Sequence, residues 1–397
     1  MKKTVKDVDV KGKRAFVRVD FNVPLDENGQ VTDDTRIRAS LPTIEYLITR
    51  GAKLILASHL GRPKGQRLPA LSLKPAGERL AELLRRPVLV ADDCVGEEVR
   101  RQVEALAEGD ILLLENLRFH PEEEANDEAF CRELASLGDL YVNDAFGSAH
   151  RAHASTTGTT QVLQPAVAGF LMEAELNALH RTLHGYEPPF VAILGGVKVS
   201  DKIGVIDNLL DRLDALLIGG AMAYTFLKAK AVSVGNSLVE DDKLDVASTT
   251  LRDAEDKKVD LRLPVDHVAG ERMAPDATTA TTEGPAIPEG FMGLDIGPQT
   301  QAAYREVIAG AKTIFWNGPM GVFEIEAFAA GTRAIAEAVA ASPAVSVVSG
   351  GDSVAAVHAA GVADRIGYIC TGGGASLEFL QGTELPGVAV LNDREGQ

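Results

Sequence analysis

Tryptophan occurs once in the chain and cysteine three times, at Cys94, Cys131 and Cys370. The cysteines are widely separated, odd in number, and without Cys-x-x-Cys spacing or a neighbouring histidine cluster. That argues against a disulfide framework and a metal motif and fits a reducing compartment. No apolar run approaches the ~18 residues needed to span a bilayer; even residues 111–114 are flanked at once by Asp110 and Glu115. Residues 1–10 alternate charged and apolar side chains and lack the continuous apolar stretch of an export signal, so they read as mature sequence. Basic residues are also scarce, 40 against 57 acidic, for a formal charge of −17. Such a chain repels polyanions, which excludes nonspecific binding to nucleic acid or anionic membrane and makes any anion site a local one. There is no low-complexity tail and no fixed-period repeat. From these features a cytoplasmic protein with no nucleic-acid or membrane partner is expected.

The 397 residues exceed a single core, since cores stop growing near ~250–300 residues, so two domains are expected. Short apolar runs at 15–19, 54–57, 88–90, 111–114, 140–142, 191–194, 215–218, 313–316 and 345–348 alternate with helical patterns, the rhythm of parallel sheets covered by helices. In 34–50, Ile37, Leu41, Ile44, Leu47 and Ile48 share one face and Gly51 offers a C-cap. Residues 170–183 carry Leu171, Met172, Leu176, Leu179 and Leu183 at helical spacing before the turn-like 185–189, and the domain junction is placed there. The Thr-, Ala- and Pro-rich stretch 276–290 reads as a surface excursion rather than another boundary.

Ligands of open α/β sheets lie beyond the carboxyl ends of the strands. In the first half those positions hold Asp20-Phe21-Asn22, Ser58-His59-Leu60-Gly61-Arg62, Glu115-Asn116-Leu117-Arg118 and, further on, His150-Arg151. Arg36, His59, Arg62, Arg118 and Arg151 suit a basic pocket, because guanidinium binds phosphate and carboxylate bidentately and stays charged. Taken singly, each arginine is as well explained by a surface ion pair, Asp20 and Asn22 by a turn before Pro24, and the histidines by buried hydrogen bonds. Their shared edge favours anion binding over metal binding. In the second half, glycine-rich turns follow strands at 195–202, at Gly219-Gly220, at Gly350-Gly351-Asp352-Ser353 and at 372–376. Glycine there commonly serves close packing, yet each turn can open a helix whose free amides bind phosphate. Lys198 and Lys202 are four apart, which on a helical turn aims both ammoniums at one phosphate chain, and Asp352 is a Mg²⁺ candidate. Neither G-x-x-x-x-G-K-[ST] nor G-x-G-x-x-G occurs.

From Val17-Arg18-Val19-Asp20-Phe21-Asn22-Val23-Pro24 onward the sequence resembles the phosphoglycerate kinases over nearly its whole length. The agreement continues at Asp34-Thr35-Arg36-Ile37, Ser58-His59-Leu60-Gly61-Arg62-Pro63, Glu115-Asn116-Leu117-Arg118-Phe119, Ala149-His150-Arg151-Ala152-His153, 195–202, 316–324 and 371–376. The resemblance implies an α/β protein of two Rossmann-like domains, each a parallel sheet flanked by helices, joined by a hinge helix. Residues 1–169 would bind 3-phosphoglycerate or 1,3-bisphosphoglycerate, 170–188 would be the interdomain helix and hinge, 189–378 would bind MgADP or MgATP, and 379–397 would return to the first domain.

Matching positions imply a substrate site of Asp20, Phe21, Asn22, Arg36, His59, Leu60, Gly61, Arg62, Arg118 and Arg151. They imply a nucleotide site of Gly195, Lys198, Lys202, Gly219, Gly220, Gly293, Asn317, Glu324, Gly350, Gly351, Asp352 and Ser353, with Asp352 on Mg²⁺. Arg36, Lys198, Lys202, Gly351 and Gly374 would serve the transfer itself. A departure stands at Ser349 and Ser353, where the family often has Gly and Thr. The implied reaction is reversible, direct in-line phosphoryl transfer between 1,3-bisphosphoglycerate and ADP after hinge closure, in a protein expected to be monomeric. The alternative is a non-catalytic two-domain protein that closes around a phosphorylated metabolite.

Overall fold

The computed structural model describes residues 1–394. The chain forms two units, Met1–Asn177 with the residues from Glu384 onward, and Ala178–Thr383. The division falls inside the helix Phe170–His184. Of the expected C-terminal segment, residues 395–397 lie outside the described residues.

The first unit is built on six parallel strands: β1 (Arg14–Arg18), β2 (Lys53–Ala57), β3 (Leu89–Val90), β4 (Ile111–Leu113), β5 (Leu140–Asn143) and β6 (Ala166–Ala168), in the order β3-β4-β2-β1-β5-β6. The middles of the central strands are apolar because helices cover both faces. Ala15, Phe16 and Val17 of β1 and Leu54, Ile55 and Leu56 of β2 are fully buried. The helix Thr35–Thr49 buries Ile37, Ile44 and Leu47, and ends as anticipated at Gly51, whose φ of 76° lets its amide turn back to Ile48. Near the C-terminus, Asp393 bridges to Lys2, and the amide of Asn143 donates to the carbonyl of Gly387 at 3.0 Å.

The second unit carries β7 (Phe190–Leu194), β8 (Ala215–Ile218), β9 (Asp260–Arg262), β10 (His267–Gly270), β11 (Thr279–Thr281), β12 (Met292–Ile296), β13 (Thr313–Asn317), β14 (Val345–Ser349) and β15 (Tyr368–Ile369). Six of these form a parallel sheet ordered β15-β14-β13-β7-β8-β9, and β11-β10-β12 form a small antiparallel sheet. The strand order reverses between β7 and β13, the kind of crevice where such sheets place ligands.

Nine strands match the apolar runs read from sequence to within one residue at either end. The others were not anticipated, for physical reasons. β6, β9 and β15 are two- or three-residue edge strands with little β-branched content, and β10–β12 mix His, Gly and Asp into short segments. The expected excursion at 276–290 contains β11, an exposed edge strand of the small sheet. No helix among the described residues is long and apolar enough to cross a membrane.

Candidate active site

In the first unit the strand ends gather a basic cluster around His59. Arg18 closes β1 and is 1% exposed, and Arg118, in the tight turn Leu117–Phe119, is 4% exposed. His59 itself is 6% exposed after β2. Burial pushes its imidazole well below the usual range, and the charges of Arg18, Arg118, Arg151 and Arg36 add to the effect in that order. His153 falls to about 4, through burial first and then Arg118, Arg151, Arg18 and His150. Even Arg118 is pushed down to about 10, by burial and by Arg151, against the opposing charge of Glu124. Positive groups are thus crowded together in a low-dielectric setting, which favours an anion beside them.

The loops bearing these groups are stitched by hydrogen bonds, several of them buried. Arg36 pairs with Asp20 at 2.8 Å, and Asn22 accepts from the Gly61 amide at 2.9 Å. Arg118 donates to the Gly61 carbonyl at 3.0 Å. Asn116, a residue quoted in the sequence motif without a role, donates to the carbonyls of Leu60 and Leu71 at 2.7 and 2.9 Å and accepts from the Leu60 amide at 3.2 Å. Glu115 accepts from the Leu73 amide and the Ser72 hydroxyl. Two of the expected substrate residues, Phe21 and Leu60, direct their side chains into the core, which leaves only their backbone to a ligand. Arg62 is exposed, and Arg151 is half-buried with Nε 3.2 Å from His150 Nε2.

Arg18 was missed by sequence reading because it lies within an apolar strand run, where a charge is easily passed over. It donates to Ser155 Oγ at 2.8 Å, to His59 Nδ1 at 3.1 Å and to the Val19 carbonyl. The fully buried Glu123 takes the Ser155 hydroxyl at 2.5 Å and its amide at 2.9 Å. Arg18 and Glu123 therefore share a serine inside the unit. Elsewhere in the unit, Asp93, Cys94 and His120 bring possible ligand atoms within 4.8 Å of one another, a juxtaposition that sequence spacing hid. Their bonding is already internal: His120 lies 2.6 Å from Asp93, Arg67 sits 3.5 Å from the other carboxylate oxygen, and burial pushes the Cys94 thiol up.

In the second unit the glycine turns meet at the carboxyl ends of β7, β8, β13 and β14. Gly195 donates to the Asn317 carbonyl at 2.9 Å, Gly219 to that of Leu194 at 2.9 Å and Gly220 to that of Met320 at 3.0 Å. Gly220 has φ of 66°, and a Cβ there would meet the backbone of Gly196 and Pro319, so glycine is needed to let the turns touch. At Gly293 a Cβ would run into the Tyr224 hydroxyl, so that glycine makes room for a side chain. The packing role weighed for these glycines is real, and it shapes a cleft.

That cleft, about 420 Å³, is lined by Gly196, Gly220, Tyr224, Gly293, Leu294, Met320, Glu324 and Asp352, among others. Around it Val197, Leu238 and Met273 are each at least half exposed, an unusual concentration of uncovered apolar side chains.

The expected lysine pair needs correction. Residues 195–202 are not helical; the helix Ile203–Leu209 starts only after Lys202, so the i, i+4 alignment does not exist. Lys198 is exposed, whereas Lys202 is buried and donates to Asn317 Oδ1. Burial lowers the Lys202 ammonium, against the charges of Asp201 and Asp352. Asn317 in turn donates to the Ser349 carbonyl at 2.9 Å, and Ser353 Oγ accepts from the Gly318 amide at 2.5 Å. Gly350 caps the helix Gly351–Ala359, whose first turn exposes Asp352. Gly374 opens the short helix Gly374–Leu380.

Two parallel α/β sheets with loaded carboxyl ends, one strongly basic and one glycine-rich, suit an enzyme that handles phosphorylated small molecules. The phosphoglycerate kinase family model matches residues 5–383. The phosphoglycerate kinase of Anaeromyxobacter dehalogenans, strain 2CP-C, is 59% identical over 393 residues, covering 98% of this chain and 99% of that one. That of Chlorobium limicola is 57% identical over 395 residues, with 99% and 100% covered. Among solved structures, the enzyme from Coxiella burnetii superposes with a TM-score of 0.89 at 41% identity, 98% of each chain being covered. The enzyme from Pyrococcus horikoshii OT3 gives 0.85 at 35%, with the same coverage. The chain belongs to the phosphoglycerate kinase family.

Proposed function

We propose that the first unit binds 3-phosphoglycerate or 1,3-bisphosphoglycerate, that the second binds ADP or ATP, and that a phosphoryl group passes directly between them. The observation that carries the substrate assignment is the mutual crowding of Arg18, Arg36, Arg118, Arg151, His59 and His153, which a ligand with a carboxylate and a phosphate would relieve. Arg36, half-buried on the first turn of its helix and held by Asp20, is proposed to face the transferring group. Arg62, more exposed, would close on the ligand's outer phosphate.

The acceptor carboxylate is already ionised near neutral pH, so transfer needs no general base. What it needs is alignment and charge neutralisation. In the second unit, backbone amides at Gly350–Gly351 and Gly373–Gly374 are proposed to hold phosphate oxygens at helix starts, with Lys202 fixed by Asn317 and Lys198 free to meet the terminal phosphate. Glu324 would take the ribose at the cleft mouth, and the apolar cleft the base.

Asp352 fits a Mg²⁺ brought in on the nucleotide, being an exposed hard-oxygen donor at the same helix start; Mg²⁺ commonly takes one or two carboxylates and phosphate oxygens. Bound there it would neutralise phosphate charge. The domain roles read from sequence, a cytoplasmic location and a monomeric state belong to this same reading. The non-catalytic binding protein is not favoured, because the similarity to kinases covers nearly the whole chain.

The test is a coupled assay with ATP, Mg²⁺ and 3-phosphoglycerate that follows acyl phosphate formation. Turnover that depends on all three supports the reading. A folded, nucleotide-binding protein without turnover would contradict it.

A further inference from the structure

The bonds around Arg18 decide a question of proton position. A guanidinium has five N–H donors and no lone pair to offer, so whatever it meets at hydrogen-bond distance must accept. Arg18 Nη2 lies 3.1 Å from His59 Nδ1, inside the unit and away from water. That nitrogen therefore presents its lone pair to Arg18, and the ring hydrogen sits on Nε2. The arrangement is held from behind: Arg18 Nε donates to Ser155 Oγ, whose own hydrogen goes to the fully buried Glu123, and Tyr141 fastens the Ser155 carbonyl at 2.8 Å. His59, Arg18, Ser155 and Glu123 form one buried chain in which every donor direction is fixed by its neighbour.

We infer that Arg18 is a positioning residue that locks His59 as the neutral, Nε2-protonated imidazole, so that His59 meets an anionic substrate as a hydrogen-bond donor rather than as a cation. The binding role rests on the proposed function; the tautomer does not. The charged groups facing His59 act in the same sense, since Arg18, Arg118, Arg151 and Arg36 all oppose a second ring proton. The positive charge of the pocket then comes from arginines alone and does not titrate near neutrality, while the histidine contributes direction.

The experiment is long-range proton–nitrogen correlation NMR on the full-length protein labelled with ¹⁵N-histidine, with His59 assigned by its loss in His59→Gln. The parent is expected to show the Nε2–H tautomer unchanged from pH 6 to 8. An Nδ1–H tautomer, or an imidazolium in that range, overturns the inference. Replacing Arg18 alone would leave Glu123 buried without its counter-charge, so Arg18→Met is paired with Glu123→Gln. In that double variant His59 should populate both tautomers and titrate nearer its ordinary value; an unchanged spectrum overturns the lock.

Kinetically, the double variant should raise KM for 3-phosphoglycerate about tenfold with kcat within about threefold, one hydrogen bond's worth of binding. A collapse of kcat at constant KM would contradict a positioning role. His59→Gln supplies both an acceptor for Arg18 and a donor for the ligand and should raise KM less than His59→Phe, which supplies neither; equal losses in the two variants would overturn the donor role. If the parent shows the predicted tautomer but no turnover, the proposed function fails and the inference about Arg18 stands.

Discussion

The two units face the same problem, holding phosphate in a chain of net charge −17, and differ in how they meet it. The first uses side chains: arginines and histidines buried so closely that they depress one another, steadied by Asn116, Glu115 and the Ser155–Glu123 pair. The second uses backbone: glycine turns pressed together at Gly195, Gly219 and Gly220, helix starts at Gly350 and Gly373, and a single buried lysine. A side-chain pocket can be dismantled charge by charge. A backbone cradle fails through its conformation. The lesson is that a substitution should hurt chemistry in the first unit and folding in the second.

Substitutions at five positions put that contrast at risk. The largest effect is expected for Arg36→Ala, which should lower kcat by roughly 10²–10³, the usual cost of removing a group that neutralises transition-state charge, while the Kd for ADP changes less than about twofold. Weakened ADP binding with unchanged kcat would remove Arg36 from its role. Gly220→Val comes next. It forces a β-branched residue to φ of 66° and a Cβ onto the Gly196 backbone, so urea unfolding should show about 1–3 kcal/mol lost in the second unit. A merely kinetic defect with full stability would break the contrast.

The third prediction compares two carboxyls built alike. Asp144 accepts from the Leu171 amide at the start of the helix Phe170–His184, and Asp295 from the Gly331 amide at the start of Ala330–Ala341. Burial lifts each to about 7. An unfolded aspartate titrates near 4, so between about pH 4 and 7 the folded state binds the extra proton, and stability falls as pH rises through that window. The slope per group should not exceed about 1.4 kcal/mol per pH unit. Asp144→Asn and Asp295→Asn should each flatten the dependence measured by denaturation at pH 5 and 8, and steeper loss at pH 8 in either variant would contradict the assignment. The smallest effect belongs to Ser353: Ser353→Ala removes the acceptor for the Gly318 amide and should cost about 1 kcal/mol, while Ser353→Thr, keeping the hydroxyl, should be nearly neutral.

Much of this was legible in residue order. Apolar runs located the central strands because strands buried on both faces must be apolar, and the groups just beyond them are where such sheets bind ligands. Three things were not legible, each for a different reason. Arg18 sits in a run whose neighbours are all buried hydrophobes, and partners far along the chain, His59, Ser155 and through it Glu123, help make a buried charge tolerable. Lys198 and Lys202 have helical spacing without a helix, because the chain from Gly195 to Lys202 stays irregular to pack against Pro319. The antiparallel sheet of β10–β12 depends on pairings between short polar segments that carry no strong periodicity of their own. Spacing reports local periodicity, and these features are set by contacts between distant segments.

The contrast between the units is tested most directly by calorimetric titration of 3-phosphoglycerate and, separately, of ADP into the parent and into Arg118→Ala. Arg118 lies in the crowded basic cluster and holds the Gly61 carbonyl. Its removal should weaken 3-phosphoglycerate binding at least about tenfold and leave ADP binding within about twofold, since the cradle for the nucleotide is built elsewhere from backbone. Loss of ADP binding, or undiminished 3-phosphoglycerate binding, would contradict the division of labour between the two units.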